Sequence, residues 1–178
     1  MTMTMKGSFA SLVLAAAALP AAAQTPPVLQ GEAITESALI EALAPAPVLT
    51  RGINPGAAAP APLKPSKAAL LITFETNATV LTVPARRELD VVGRALNTSR
   101  LADFSFVIEG HADPRGASDR NQRLSEGRAE AVRRYLIQNQ SVREDRLKAV
   151  GKGDREPLNP AVPAAPENRR VTFVNVSR

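Results

Sequence analysis

A strand-like run, a short polar loop and a long amphipathic helix follow one another without interruption between Phe104 and Gln138, and this succession constrains the fold more than any other feature. The run Phe104-Ser105-Phe106-Val107-Ile108 closes at Gly110. The helix starts at Ser118 or Asp119, with an apolar stripe of Leu124, Ala131, Val132, Tyr135 and Leu136 at helical spacing. The loop between them holds Asp113, and Arg128 lies about two turns into the helix. A loop that leaves a strand and enters a helix is where small ligands bind in open α/β sheets.

Comparable signals flank this unit. Ala69-Leu70-Leu71-Ile72-Thr73-Phe74 reads as a buried strand. Thr82 caps a helix with Pro84 in its first turn and an apolar face of Ala85, Leu89, Val92 and Leu96, ending at Asn97-Thr98-Ser99. A third strand, Arg146-Leu147-Lys148-Ala149-Val150, ends at Gly151. A proline-rich loop runs from Pro157 to Pro166, and the last strand is Val171 to Val176. Thr172 and Asn175 alternate there with apolar residues, as in a strand with one solvated face. The order is β-α-β-α-β-β, so an α+β, two-layer fold with two helices on one face of the sheet is expected over residues 68–178.

The preceding residues have another character. Residues 1–23 read as a secretory signal peptide: Lys6 in the n-region, an apolar stretch from Phe9 to Leu19, and Ala21-Ala22-Ala23 before Gln24. That apolar stretch would span roughly 17 Å as a helix, against a hydrocarbon core of roughly 30 Å. Cleavage would leave no transmembrane span. Residues 24–67 are Pro/Ala-rich and read as a linker. One island, residues 35–43, has the pattern of a short helix capped by Thr35, with Ile34, Leu39, Ala42 and Leu43 on its apolar side.

Composition removes several functions. The chain has no cysteine, which rules out disulfides, thiol catalysis, thiolate metal sites and a lipidated cysteine. The net charge is +5, with 18 Lys and Arg against 14 Asp and Glu from residue 68 onward. Such a surface attracts anionic polymers. Export, the absence of Trp and the scarcity of other aromatics argue against nucleic acid.

Asp113 can accept hydrogen bonds from an ammonium group, and Arg128 offers a donor fork that matches a carboxylate. A zwitterionic ligand suits the pair. Asn121 lies seven residues before Arg128 on the same side of the helix, and Asn77 reaches the same cleft if the two strand ends are neighbours. Spacing alone favours the plainer reading, in which Asp113 and Arg128 form a structural ion pair or tether the loop. One histidine, His111, with no cysteine does not make a convincing zinc site, and no recognisable nucleophile motif lies beside it. It is expected to fix the loop by hydrogen bonding. No cofactor or metal is implied.

The run Gly110-His111-Ala112-Asp113, with Gly116, Asn121, Leu124-Ser125 and Arg128-Ala129, resembles the signature of the OmpA C-terminal-like domain, a family that includes the peptidoglycan-associated lipoprotein and MotB. Phe74-Glu75-Thr76-Asn77, Gly151-Lys152-Gly153, Pro157 and Asn168-Arg169-Arg170-Val171 extend the resemblance, in order, over about residues 69–176. The resemblance implies a mixed four-stranded sheet with the last strand between the first and second. It also implies non-covalent binding of peptidoglycan through the diaminopimelate residue of the stem peptide. Asp113 would take the ligand's ammonium and Arg128 its carboxylate. Asn77 and Asn121 would support the site, with Thr76, Ala112 and Leu124 in secondary positions. Ala112 stands where Thr is commoner in the family, but contributes through its backbone. The implied location is the periplasm of a Gram-negative bacterium, with outer-membrane association left open. Two alternatives stand beside this: an envelope assembly protein that docks a partner through residues 34–43, and, more remotely, a murein-modifying enzyme.

Overall fold

The computed structural model describes residues 26–45, 65–75 and 78–176. The expected signal peptide lies outside them. The elements are β1 (Val28–Leu29), α1 (Glu36–Leu43), β2 (Lys67–Leu70), α2 (Val83–Leu96), β3 (Phe106–His111), α3 (Ser118–Gln140), β4 (Leu147–Gly153) and β5 (Val171–Asn175). The sheet order is β1-β2-β5-β3-β4. β5 runs antiparallel to both neighbours, whereas β1–β2 and β3–β4 are parallel. The last strand thus lies between the first and second strands of the expected core, and β1 adds a fifth strand to the expected four. Among the described residues three α-helices, rather than the expected two, accompany the sheet. No helix among the described residues is long and apolar enough to cross a membrane.

Within the described residues 26–45 and 65–67, the added elements correct the linker reading; residues 46–64 of that expected linker lie outside the described residues. α1 forms where expected, with the Thr35 side chain accepting the Ala38 N–H. Its apolar side then enters this domain's own core: Leu39 and Leu43 are fully buried and Ile34 nearly so, among Ala85, Leu89, Phe106 and Phe173. An eight-residue helix is marginal alone, so this packing is what holds it. Glu36 pairs with Arg94 of α2 at 2.6 Å. Ser66 donates to the Ala44 carbonyl at 3.0 Å, which closes the two ends of the intervening segment on each other.

α2 follows its sequence signals: the Thr82 side chain accepts the Ala85 N–H, Pro84 lies in the first turn, and Ala85, Leu89, Val92 and Leu96 are buried. β2 stops at Leu70 rather than Phe74, because its partner strand starts at Val171 and the Leu70–Val171 pair is the last of the ladder. β5 has no solvated face. Thr172 and Asn175 are both buried, and Asn175 Nδ2 donates to the Leu43 carbonyl at the end of α1 at 2.9 Å. The two lie three residues apart, on opposite faces of the strand, and α1 roofs the Asn175 face. Arg146 is also buried, and its guanidinium ties the carbonyls of Leu96, Leu101 and Phe104 at 2.8–2.9 Å.

Leu39→Ala tests the reassignment of α1. Loss of a fully buried leucine should lower unfolding stability by about 2–4 kcal/mol in urea denaturation, whereas a linker helix would give almost no change.

Candidate functional site

β3 and β4 end side by side, and α3 starts directly above them. The approach is close because the facing residues are small. A Cβ on Gly110 would lie 2.1 Å from the Ser125 carbonyl oxygen, and one on Gly151 would lie 2.8 Å from the Glu126 backbone nitrogen. Ser125 Oγ accepts the Gly153 N–H at 2.9 Å. The β3–β4 register shifts at Gly110–His111, so that His111 pairs with Gly153.

This seam fixes the loop that carries Asp113. Ala112 N–H donates to the Gly153 carbonyl at 2.8 Å. Asn121 Nδ2 donates to the Asp113 carbonyl at 3.1 Å and to Asp154 Oδ2 at 3.0 Å. Asp154 also accepts from Ser118 at 2.9 Å. Asn121 is therefore buried and holds backbone, while Asp113 presents its carboxylate to a cleft.

The cleft has a volume of about 500 Å³ and is lined by Phe74, Glu75, Ala112, Asp113, Arg115, Asn121, Leu124, Arg128 and Arg169. Of the residues singled out from sequence, Asp113, Arg128, Asn121, Ala112 and Leu124 meet here. Thr76 and Asn77 lie outside the described residues. Arg128 Nε donates to the Ala78 carbonyl at 3.1 Å, and its guanidinium sits 4.9 Å from the centre of the Phe74 ring. Burial, then the neighbouring positive charge of Arg169, pushes its pKa down, and Asp113 opposes this. The guanidinium stays charged.

Asp113 and Arg128 do not form the simple ion pair that spacing allowed. Asp113 is held by two other arginines. Arg115 donates from Nε to Oδ1 at 3.0 Å, from Nη2 to Oδ2 at 2.8 Å, and from its backbone N–H to Oδ1 at 3.0 Å. Arg169 Nη1 reaches Oδ2 at 2.8 Å. The Arg115 bonds, aided by Arg169 and opposed by burial, hold the Asp113 carboxyl far below the usual carboxylate range.

Arg169 and Arg115 were not read from sequence as site residues. The signal for Arg169 lay in the topology. A last strand placed antiparallel beside β3 must begin next to the end of β3, so the Arg-Arg pair before Val171 falls beside Asp113. Asn168 anchors that approach: it is fully buried, its Nδ2 lies within 3.1 Å of the carbonyls of Asn159, Val162 and Pro163, and its Oδ1 accepts the Asn159 N–H.

A model of the OmpA family matches residues 73–170. The chain belongs to the OmpA family. It is 39% identical over 85 residues to the peptidoglycan-associated lipoprotein of Pseudomonas aeruginosa, covering 48% of this chain and 48% of that protein. It is 41% identical over 80 residues to outer membrane porin F of the same species, covering 40% of this chain and 23% of that protein. The chain thus spans about half or less of these relatives. A putative MotB-like protein from Desulfovibrio vulgaris superposes with a TM-score of 0.52 at 26% identity, over 61% of this chain and 71% of that one.

His111 departs from expectation. Its backbone N–H donates to the Arg170 carbonyl at 2.9 Å, but neither ring nitrogen has a hydrogen-bond partner. Nε2 is 3.9 Å from Glu109, too far for a hydrogen bond. Burial, then the charge of Arg170, pushes the imidazole pKa down to about 3, so it is neutral near pH 7 and that contact is no ion pair. The unfolded chain takes up this proton near pH 6.5, whereas the folded chain waits until about 3. More protons on the unfolded state mean that stability falls as pH drops through this window. His111→Gln should remove this contribution, flattening the pH dependence of urea midpoints between pH 6.5 and 4 by up to about 1.4 kcal/mol per pH unit.

Proposed function

We propose that this domain binds peptidoglycan non-covalently by the diaminopimelate residue of the stem peptide. Asp113 accepts hydrogen bonds from the ligand's ammonium, and Arg128 takes its carboxylate. The reading is carried by one observation: Asp113 and Arg128 line one cleft in a family member akin to a peptidoglycan-associated lipoprotein. About 500 Å³ is ample for one amino-acid side chain with two charged ends.

The supporting roles divide. Asn121 acts by holding the Asp113 backbone, Ala112 by its own backbone, and Leu124 and Phe74 as apolar walls. Thr76 and Asn77, which precede Ala78 in the sequence, are proposed as further ligand contacts. Binding without catalysis suits these groups. A carboxyl held so far below its usual range does not exchange protons near neutrality, and among the described residues neither ring nitrogen of the buried His111 has a hydrogen-bond partner to activate. The protein acts in the periplasm of a Gram-negative cell, where the wall is accessible. Docking of an envelope partner on the apolar side of residues 34–43 is disfavoured, since that side is spent within the domain.

Sedimentation with purified diaminopimelate-type peptidoglycan tests this proposal. Asp113→Ala should weaken binding about thirtyfold, or about 2 kcal/mol, with the thermal transition retained. Arg128→Lys keeps the charge but loses the fork, and should also weaken binding, as a stacked, directional guanidinium is not replaced by an ammonium. Undiminished sedimentation of both folded variants would sink the assignment.

A further inference from the structure

An ionised carboxylate has about four acceptor positions, two on each oxygen. In Asp113 all four are taken: Oδ1 by the backbone N–H and Nε of Arg115, and Oδ2 by Nη2 of Arg115 and Nη1 of Arg169. A ligand ammonium finds no vacant acceptor there. One of the present donors must leave first.

These four bonds come from three groups that are not equally held. The Arg115 backbone N–H is part of the β3–α3 loop, which is pinned through Ala112 and Asn121. Arg169 follows the fully buried Asn168, and its Nη1 also lies 3.4 Å from the Ala164 carbonyl. The Arg115 side chain is different. It is 65% exposed, and among the described residues its side-chain hydrogen bonds run to Asp113 alone. Its departure uncovers one position on each oxygen of a carboxylate that is itself only 7% exposed. Gly116 follows with φ of +104° and no heavy atom within 4 Å of where a Cβ would stand, so nothing crowds that side of Arg115.

We propose that Arg115 is an internal occupant of the ligand site. Its guanidinium fills the place of the ligand's ammonium on Asp113, and binding exchanges one cation for the other. Residue 115 then sets affinity and selectivity. Only a ligand that returns a cation to Asp113 replaces what is lost, and a neutral group in the same place leaves a buried carboxylate short of donors. The inference rests on the diaminopimelate reading above.

Calorimetry of the full chain with the tripeptide L-Ala-γ-D-Glu-meso-diaminopimelate provides the test. The apparent affinity of a self-occupied site is reduced by the fraction of molecules in which it is open. If that fraction is about one fifth, Arg115→Ala should bind about fivefold more tightly than wild type. The gain should vanish in an Asp113→Ala background, and with a probe acetylated on the side-chain amine of diaminopimelate. In ¹⁵N spectra the Arg115 Nε–H signal should shift on addition of tripeptide to wild type. If wild type binds but Arg115→Ala binds equally or more weakly, the inference fails and the diaminopimelate reading stands. An Arg115 Nε–H signal unmoved at saturation overturns it as well, even if the Ala variant is unstable. If wild type itself ignores the tripeptide, the diaminopimelate reading fails, and this inference with it.

Discussion

Helix α3 lies against the β3–β4 ladder at a distance that only small residues permit, and the site depends on that approach. Gly110 and Gly151 place strand backbone where any side chain would strike Ser125 or Glu126. Ser125 and Ala129 answer from the helix, both fully buried. The Ser125 hydroxyl joins the seam to the end of β4 through the Gly153 N–H. This fixes the rotation of α3 about its axis. Asn121 is thereby turned to the Asp113 carbonyl, and Arg128 to the Phe74 ring. A side chain at Gly110 would shift the helix, and both contacts would go with it.

On this frame the cleft gathers charge of unequal sign. Three guanidiniums, those of Arg115, Arg128 and Arg169, line the cleft with two carboxylates, the buried Asp113 and the exposed Glu75. Burying one carboxylate is costly unless donors surround it, and here they do. Arg128 is treated differently. It is partly buried and lowered in pKa by that burial, and among the described residues only its Nε is engaged, on a carbonyl. Asp113 is saturated by its own protein, whereas among the described residues the Arg128 guanidinium has its Nε alone in a hydrogen bond. This asymmetry suits a site that exchanges an internal cation for an external one while offering a fresh partner to an anion.

Much of the fold was legible because its signals are local. The Thr82 cap, the spacing of Ala85, Leu89, Val92 and Leu96, and the Thr35 cap each rest on contacts within a few residues. The placement of β5 between β2 and β3 came from resemblance rather than pattern. What local signals missed were partners far apart in sequence. The pattern of residues 35–43 announced a helix but not its destination, since an apolar face does not name the surface that covers it. Asn175 looked solvated for the same reason: its polar atoms meet Leu43, 132 residues away. His111 looked like a hydrogen-bonding residue, but its ring is enclosed without a partner and is kept neutral instead.

By itself the amino-acid sequence determined the order and type of the elements, the glycines and small residues that let α3 approach, and the presence of Asp113 and Arg128 on either side of one strand–loop–helix turn. Tertiary structure alone decided who holds what. It set Arg169, and not Arg128, on the Asp113 carboxylate beside the sequence-local Arg115, and it drew the N-terminal helix into the core. The physical reason is the same in each instance. Charge pairing and burial are settled by distance in space, and an antiparallel β5 brings the residues before Val171 to the end of β3 from the far end of the chain.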